Sequence, residues 1–339
     1  MKIVAPLNRS NEINSLIQAG ADELYSGLVD YAQWQKFGGA GCINRRAETF
    51  SNLNSVDELR KSVDIAHRHN IPFVLTLNEY YDEAQCREAI HQAQIAVDNG
   101  VDAILVADIG LMLVLKEKFK RLKLYLSSCA PVFNSETISF YSNLGVSRIV
   151  FHRHLSMNEL KELSSKVRGG LELEAFVLNE RCYNIDGFCS FEHGKCTNIF
   201  GFKAQQHVKE AMKKYIRLFP QKILNRINNY LVKESHPCCF PFRQKTTNGF
   251  ENVTLNTEKA FLYACGLCAI YELNSLGVSH IKISGRSMLT DQVKNIRLVK
   301  EALMLLENVA DRNEFILGAE KIAKRFGRSC GPVYCYHRA

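Results

Sequence analysis

The sequence lacks any apolar run long enough to cross a bilayer. Its best stretch, Val101 to Leu115, is cut by Asp102 and Asp108, whereas a span needs about 20 apolar residues. The opening residues, MKIVAPLNRSNE, carry one lysine and a short apolar patch before turning polar. That is not the pattern of a secretory leader, so a cytoplasmic protein is expected. No GxGxxG follows the first strand-like run, which argues against a dinucleotide-binding sheet, and no HExxH occurs, which removes the commonest zinc-protease signature. Twelve cysteines in 339 residues are too few for a disulfide scaffold. Clustered thiols in a chain read as cytosolic point instead to metal or redox chemistry.

With 46% hydrophobic and 23% charged residues the chain can bury a large core, and wholesale disorder is excluded. The net charge of +8 is local: Lys203 to Lys245 holds ten Lys or Arg against Glu210 and Glu234, so the rest of the chain balances to zero. A basic segment of this kind attracts phosphates, RNA or polycarboxylates.

One signature recurs along the chain. A helical pattern stops at glycine, one or two small residues follow, and a β-rich run begins: Gly20-Ala21-Asp22, Gly100-Val101-Asp102, Gly145-Val146-Ser147 and Gly277-Val278-Ser279. Glycine after a helix accepts the left-handed backbone that closes it, so these are αβ junctions. They predict strands at 2–6, 22–27, 72–77, 103–107, 123–128, 148–152, 171–178 and 280–284 with helices between them. Eight alternating units predict an α/β fold, a TIM-like (β/α)8 barrel, with a doubly wound open sheet as the alternative. Ser55 and Glu58 read as a capping box opening a helix whose apolar face uses Val56, Leu59, Val63 and Ala66.

Strand eight follows strand seven by about a hundred residues, so the barrel of 1–286 carries a cysteine-bearing basic insertion, 182–260. Residues 287–339 read as amphipathic helices and a tail packed on the barrel. In a barrel, function gathers at the C-terminal strand ends, which here carry Tyr25, Ser26, Asn78, Asp108, Ser127, Ser128, His152, Arg153 and Arg286. Above them the insertion brings Cys182, Cys189, Cys196, Cys238, Cys239, Cys265 and Cys268. Four thiolates from distant segments suit zinc or an iron–sulfur cluster. Only Cys265-Gly-Leu-Cys268 has the tight knuckle of structural zinc, which tilts the spacing toward a cluster. Cys86, on the apolar side of a helix, reads as a buried structural thiol, and Cys330 and Cys335 form a separate tail pair.

Several segments together resemble the U-thirty-two family of collagenase-like peptidases: APLNRSNEINSLIQAGADELYSGL, CINRRAETFSNLNSVDELRKSVDIAHRHNIPFVLTLN, VDAILVADIGL, LGVSRIVFHRHLS, LELEAFVLNERCYNIDGFC and GVSHIKISGR. The run from Glu174 to Cys189 matches the core of the family signature, and PCCFPF resembles its proline-cysteine-arginine element. Members of this family include oxygen-independent hydroxylases acting on ubiquinone precursors, transfer RNA or ribosomal RNA. The resemblance implies a 4Fe-4S cluster on Cys182, Cys189, Cys238 and Cys265, with prephenate, a small carboxylate, as oxygen donor. It also leaves room for a protein partner subunit. The chain departs from the family at Leu178 to Arg181, at Cys239, at Ser284 and at His154. Cys42 is the first substitute ligand, ahead of Cys196, Cys239 and Cys268.

The leading expectation is therefore an iron–sulfur enzyme hydroxylating an RNA base or an aromatic small molecule. Arg153, Lys282 or Arg286 would hold carboxylates, because a guanidinium matches a carboxylate fork, and Asn78 and Asp108 would orient substrate or relay protons. A peptidase is the alternative, with Cys129 as nucleophile and His152 as base. A non-catalytic RNA-binding or assembly protein using the basic insertion is the third reading.

Overall fold

The structure, a computed structural model, describes residues 1–29, 44–46, 51–167, 169–182, 185–188, 263–286, 291–329 and 334–337, with the backbone of 242–246 and 249–253. Its strands are β1 (Lys2–Pro6), β2 (Glu23–Ser26), β3 (Phe73–Leu77), β4 (Ala103–Val106), β5 (Lys123–Leu126), β6 (Arg148–Val150), β7 (Glu172–Leu178), β8 (Phe242–Thr246), β9 (Gly249–Val253) and β10 (His280–Ile283). The described helices are α1 (Ile13–Ala19), α2 (Val56–Arg68), α3 (Glu83–Asp98), α4 (Ile109–Lys118), α5 (Ser135–Asn143), α6 (Met157–Lys166), α7 (Ile270–Ser275), α8 (Gln292–Asn308) and α9 (Arg312–Arg325). No described helix is long and apolar enough to cross a membrane.

Eight parallel strands close on themselves in the order β1-β10-β7-β6-β5-β4-β3-β2, which makes the chain a TIM-like (β/α)8 barrel. The four glycine junctions are what the sequence pattern implied, since Gly20, Gly100, Gly145 and Gly277 all have positive φ. The chain forms two compact units, Met1–Cys189 with Lys259–Ala339, and Ser190–Glu258. The described part of the second is the antiparallel hairpin β8–β9, with Phe242 opposite Val253.

Helix α2 shows where pattern reading meets its limit. Ser55 does cap it, accepting from the Glu58 amide at 3.1 Å. The Glu58 carboxylate, however, reaches Asn54 N (2.9 Å) and Ser10 N (3.1 Å) rather than closing the box, so it ties the helix start to the β1–α1 loop. Leu59, Val63 and Ala66 are buried as the apolar stripe requires, while Val56 in the first turn stays exposed. On α3, Cys86 is half-buried against the core, and burial pushes its thiol pKa up, as suits a structural cysteine.

Inside the barrel, alternate residues of each strand fill the lumen, and they are not all apolar. Arg148 of β6 lies at its centre, 2% exposed. Its guanidinium donates to Glu23 (2.6 and 2.9 Å), Glu174 (3.0 Å), Glu172 (2.9 Å) and the Tyr125 hydroxyl (3.2 Å), and lies 3.9 Å from the Tyr125 ring centre. His280 Nε2 stands 2.9 Å from the same guanidinium. Lys282 donates to the other oxygen of Glu174 at 2.6 Å, over the ring of Tyr25. Two cations and two buried carboxylates therefore neutralise one another in the lumen, which a single charge there could not do. Burial alone would raise the Glu174 pKa, but Lys282 and then Arg148 outweigh it and hold that carboxyl below its ordinary value.

Candidate active site

The exit from β7 organises the C-terminal face. After Leu178 two residues in succession, Asn179 (φ 61°) and Glu180 (φ 45°), adopt left-handed backbone that glycine would accept more readily. That conformation costs on the order of 1 kcal/mol or more per residue and persists only where neighbours enforce it. They do. Asn179 N donates to the Ala264 carbonyl (3.0 Å), Asn179 Nδ2 to the Ser284 carbonyl (3.2 Å), Arg46 pairs with the Glu180 carboxylate (2.7 Å), and Arg153 donates to the Glu180 carbonyl.

This strained turn delivers Cys182, 5% exposed, at the end of β7. From about eighty residues away Cys265, 8% exposed, is brought to the same strand end by an antiparallel bridge to Leu178. Cys182 is among the groups that favour the charged form of Arg153, and Cys265 offsets the burial that lowers the pKa of Arg328.

Arg153 itself lies over the Phe176 ring, 4.6 Å from its centre, and pairs with Asp186 at 3.2 Å. Asp186 also accepts from Ser128 Oγ (2.8 Å). The Asp186–Phe188 turn is pressed against the β5 loop so closely that a Cβ on Gly187 would sit 1.9 Å from the Cys129 carbonyl oxygen. Only glycine fits there.

Asn78 sits at the end of β3, 8% exposed; it donates to Ser127 Oγ (3.3 Å) and accepts from Arg45 N (3.3 Å). Arg286, 5% exposed, donates to Thr76 Oγ1 (3.1 Å), Asn52 Oδ1 (3.2 Å) and Asn44 Oδ1 (3.1 Å). Gly27 lets this cluster close in, since a Cβ there would lie within 2.7 Å of all three side chains that meet it. Asp108 and Lys282 stand apart from this group. Asp108 accepts from Leu111 N at 2.8 Å as the cap of α4, and Lys282 is committed to Glu174 inside the lumen, so both have structural duties. The structure thus gathers Asn78, Arg153, Arg286, Cys182 and Cys265 at one end of the barrel, while Cys189, Cys238, Cys42, Cys196, Cys239, Cys330 and the basic segment up to residue 241 lie outside the described residues.

Sequence reasoning missed three contributors, Arg46, Asn52 and Tyr336, and gave Glu180 only as a departure from the family pattern. Tyr336 arrives with the tail, where Cys335 pairs in parallel with Cys265 and the Tyr336 amide donates to the Cys265 carbonyl (2.9 Å). Its ring is buried in the lumen, stacked on Phe176 at 6.4 Å. Nothing in the tail pattern signals this, whereas the doublet Arg45-Arg46 beside Asn44 could have been read as part of a polar cluster.

The peptidase pair does not form. Burial pushes the Cys129 thiol up to about 12, its sulfur accepts from Asn78 at 3.8 Å, and no hydrogen bond joins it to His152. One GxSxG string, Gly327 to Gly331, exists by letters. It follows helix α9 rather than a strand, so it is no nucleophile elbow.

The family model for "Peptidase family U32" matches residues 8–339. The chain belongs to peptidase family U32. Among curated U32-like relatives, the "tRNA hydroxylation protein P" of Haemophilus influenzae is 25% identical over 206 residues, 58% of this chain and 42% of its own length. A 23S rRNA 5-hydroxycytidine synthase of Escherichia coli is 23% identical over 195 residues, 58% of this chain and 27% of its own. The "Collagenase" of Porphyromonas gingivalis is 26% identical over 212 residues, 58% and 47%. The chain spans less than half the length of each of these relatives.

The 4Fe-4S group implied by the U32 resemblance fits the donors that are described. Two buried thiols, Cys182 and Cys265, lie at one strand end, and cysteine sulfur is the donor such a cluster takes, although among the described residues no three metal-ligating side chains stand together. The remaining two cysteines of the implied set, Cys189 and Cys238, are outside those residues.

Proposed function

We propose that this chain is an oxygen-independent hydroxylase of RNA bases that carries a 4Fe-4S cluster on Cys182, Cys189, Cys238 and Cys265 and uses prephenate as oxygen donor. The observation that supports it most is the delivery of Cys182 and Cys265 to the end of β7 by a strained turn and a long-range bridge to Leu178. The relatives named for tRNA and rRNA hydroxylation support RNA as the substrate class.

When bound, the cluster would supply redox-active iron at the mouth. The residues around it supply the rest. Arg286, oriented by Asn44, Asn52 and Thr76, presents a planar guanidinium suited to a carboxylate of the donor. Arg153, fixed by Asp186 and the Glu180 carbonyl and laid over the Phe176 ring, would stabilise negative charge at the mouth. Asn78, held by Ser127 and Arg45, offers an amide for hydrogen bonding to substrate. Asp108 and Lys282 are not part of the proposed machinery. RNA as substrate would place the work in the cytoplasm.

Comparing modified nucleosides from cells with and without the gene, grown without oxygen, tests this reading. A nucleoside heavier by one oxygen should be present with the gene and absent without it. Identical profiles of tRNA and rRNA nucleosides would overturn it.

A further inference from the structure

The tail returns to the barrel beside Cys265 in a fixed register. Cys265 and Cys335 face each other across a parallel bridge, with Cys265 N donating to the Tyr334 carbonyl (2.8 Å) and Tyr336 N to the Cys265 carbonyl (2.9 Å). The packing beyond the bridge is close. A Cβ on Gly266 would lie 2.9 Å from Tyr336 Cβ, and His337 Nε2 stands 2.9 Å from the Phe176 carbonyl oxygen. Paired strands run about 4.8 Å apart, and a disulfide joins residues whose Cα atoms lie about 4.4–6.8 Å apart. The register therefore sets these two cysteines at a separation that a disulfide spans.

Their side chains also share a face. Ala264 and Tyr336, the chain neighbours of the two cysteines, are both packed in the lumen with Phe176 and Tyr25. Side chains of extended backbone alternate, so Cys265 and Cys335 both turn away from the lumen. There they line one cavity of about 550 Å³, together with Cys268, the start of α6 and a face of α9. Cys335 is half-buried where Cys265 is buried, so a small solute meets the Cys335 sulfur first. The Cys335 thiol donates to the His337 carbonyl at 3.2 Å, a weak bond that turning the side chain releases.

We propose that Cys265 and Cys335 close a reversible disulfide whenever Cys265 is not held by iron. The oxidant is a low-molecular-weight disulfide. Cys335 attacks one of its sulfurs and releases a first small thiol, then Cys265 attacks the Cys335 sulfur and releases the second. The two cysteines lose two electrons and two protons, and both pairs leave on the two released thiols. The cross-link withholds from iron a sulfur that the cluster needs and ties the tail to the turn before α7. Partly exposed through Cys335, it is of the kind that thiols reduce again. Its dependence on iron rests on the cluster reading, whereas the pairing stands on the register alone.

Peptide mapping by mass spectrometry on the full-length protein tests it. Protein prepared without oxygen is divided into two parts, one keeping its iron and one stripped by a chelator. Both are treated with oxidised glutathione, alkylated and digested without reduction. The stripped protein should yield Cys265 joined to Cys335 as the main oxidised form of Cys265, and dithiothreitol should abolish the link. The iron-loaded protein should lack it. Cys335→Ser should lose the cross-link, while Cys268→Ser and Cys330→Ser should keep it. Cys265 joined mainly to Cys268, or Cys335 joined mainly to Cys330 or left carrying glutathione, would overturn the pair. A link formed as fully in iron-loaded protein would overturn the exclusion by iron. Protein that never holds iron yet forms the link would uphold the pair, while its iron count removed the cluster reading.

Discussion

Arg148→Met should lower the thermal unfolding midpoint by about 10 °C or leave the protein insoluble. The guanidinium is the hub of the lumen: among the described residues it alone pairs with Glu23, and it shares Glu174 with Lys282. Methionine fills part of the volume but leaves the Glu23 carboxylate buried without its hydrogen-bonded cation, with Lys282 acting on it only from a distance. Breaking a buried pair by removing one partner costs about 3–5 kcal/mol, and in a chain of this size each kilocalorie moves the midpoint by roughly 2–4 °C. The penalty comes from the stranded charge more than from the lost contact. Adding Glu23→Gln to Arg148→Met should therefore recover part of the loss, a coupling that scanning calorimetry on both variants would reveal. A single variant as stable as the wild type would mean that the lumen charges are hydrated and the network is incidental.

Acid should weaken the fold before the carboxylates begin to titrate. Burial, then His154, lowers the His152 pKa to about 4, and burial, then Arg148, does the same at His280. An unfolded histidine titrates near 6.5. Between those values the unfolded chain binds protons that the folded chain refuses, so stability is complete above about pH 6.5 and falls as the pH drops toward 4. A difference of about 2.5 pKa units corresponds to roughly 3 kcal/mol at His152 as an upper bound. His280, inside the Arg148 network, adds to the fall with the same sign. Urea midpoints measured across this window should drop in the wild type and flatten in His152→Asn. A His152→Asn variant with an unaltered slope would show that His152 is not held neutral by the fold.

The barrel was legible because its signal is local and repeated. Four glycines with positive φ mark the returns from helix to strand, and caps such as Ser55 mark helix starts. The candidate site was legible only in part. The rule that strand ends carry function led to Asn78, Arg153 and Arg286, which do stand at that end, and the two described cysteines of the implied set lie at the end of β7. Asp108 satisfied that rule and proved to be a helix cap, because a carboxylate placed just before a helix serves both purposes in the same pattern. Lys282 sits one pleat deeper than the mouth, on the lumen side of β10, where charge is consumed by Glu174. The contacts that escaped sequence reading are long-range. Arg148 meets Glu23 across 125 residues, and Tyr336 reaches the lumen through a bridge spanning the distance from Cys265 to the tail. Neither has a periodic trace, since only closure of the barrel brings the partners together.

Iron and acid-labile sulfide, counted per chain in protein purified without oxygen, test the central proposal most directly. The wild type should be brown and hold about four of each, as a 4Fe-4S group requires. Cys182→Ser and Cys265→Ser should lose most of both, and Cys86→Ser should keep them. Colourless wild-type protein carrying a single zinc, or equal loss from Cys86→Ser, would contradict the account.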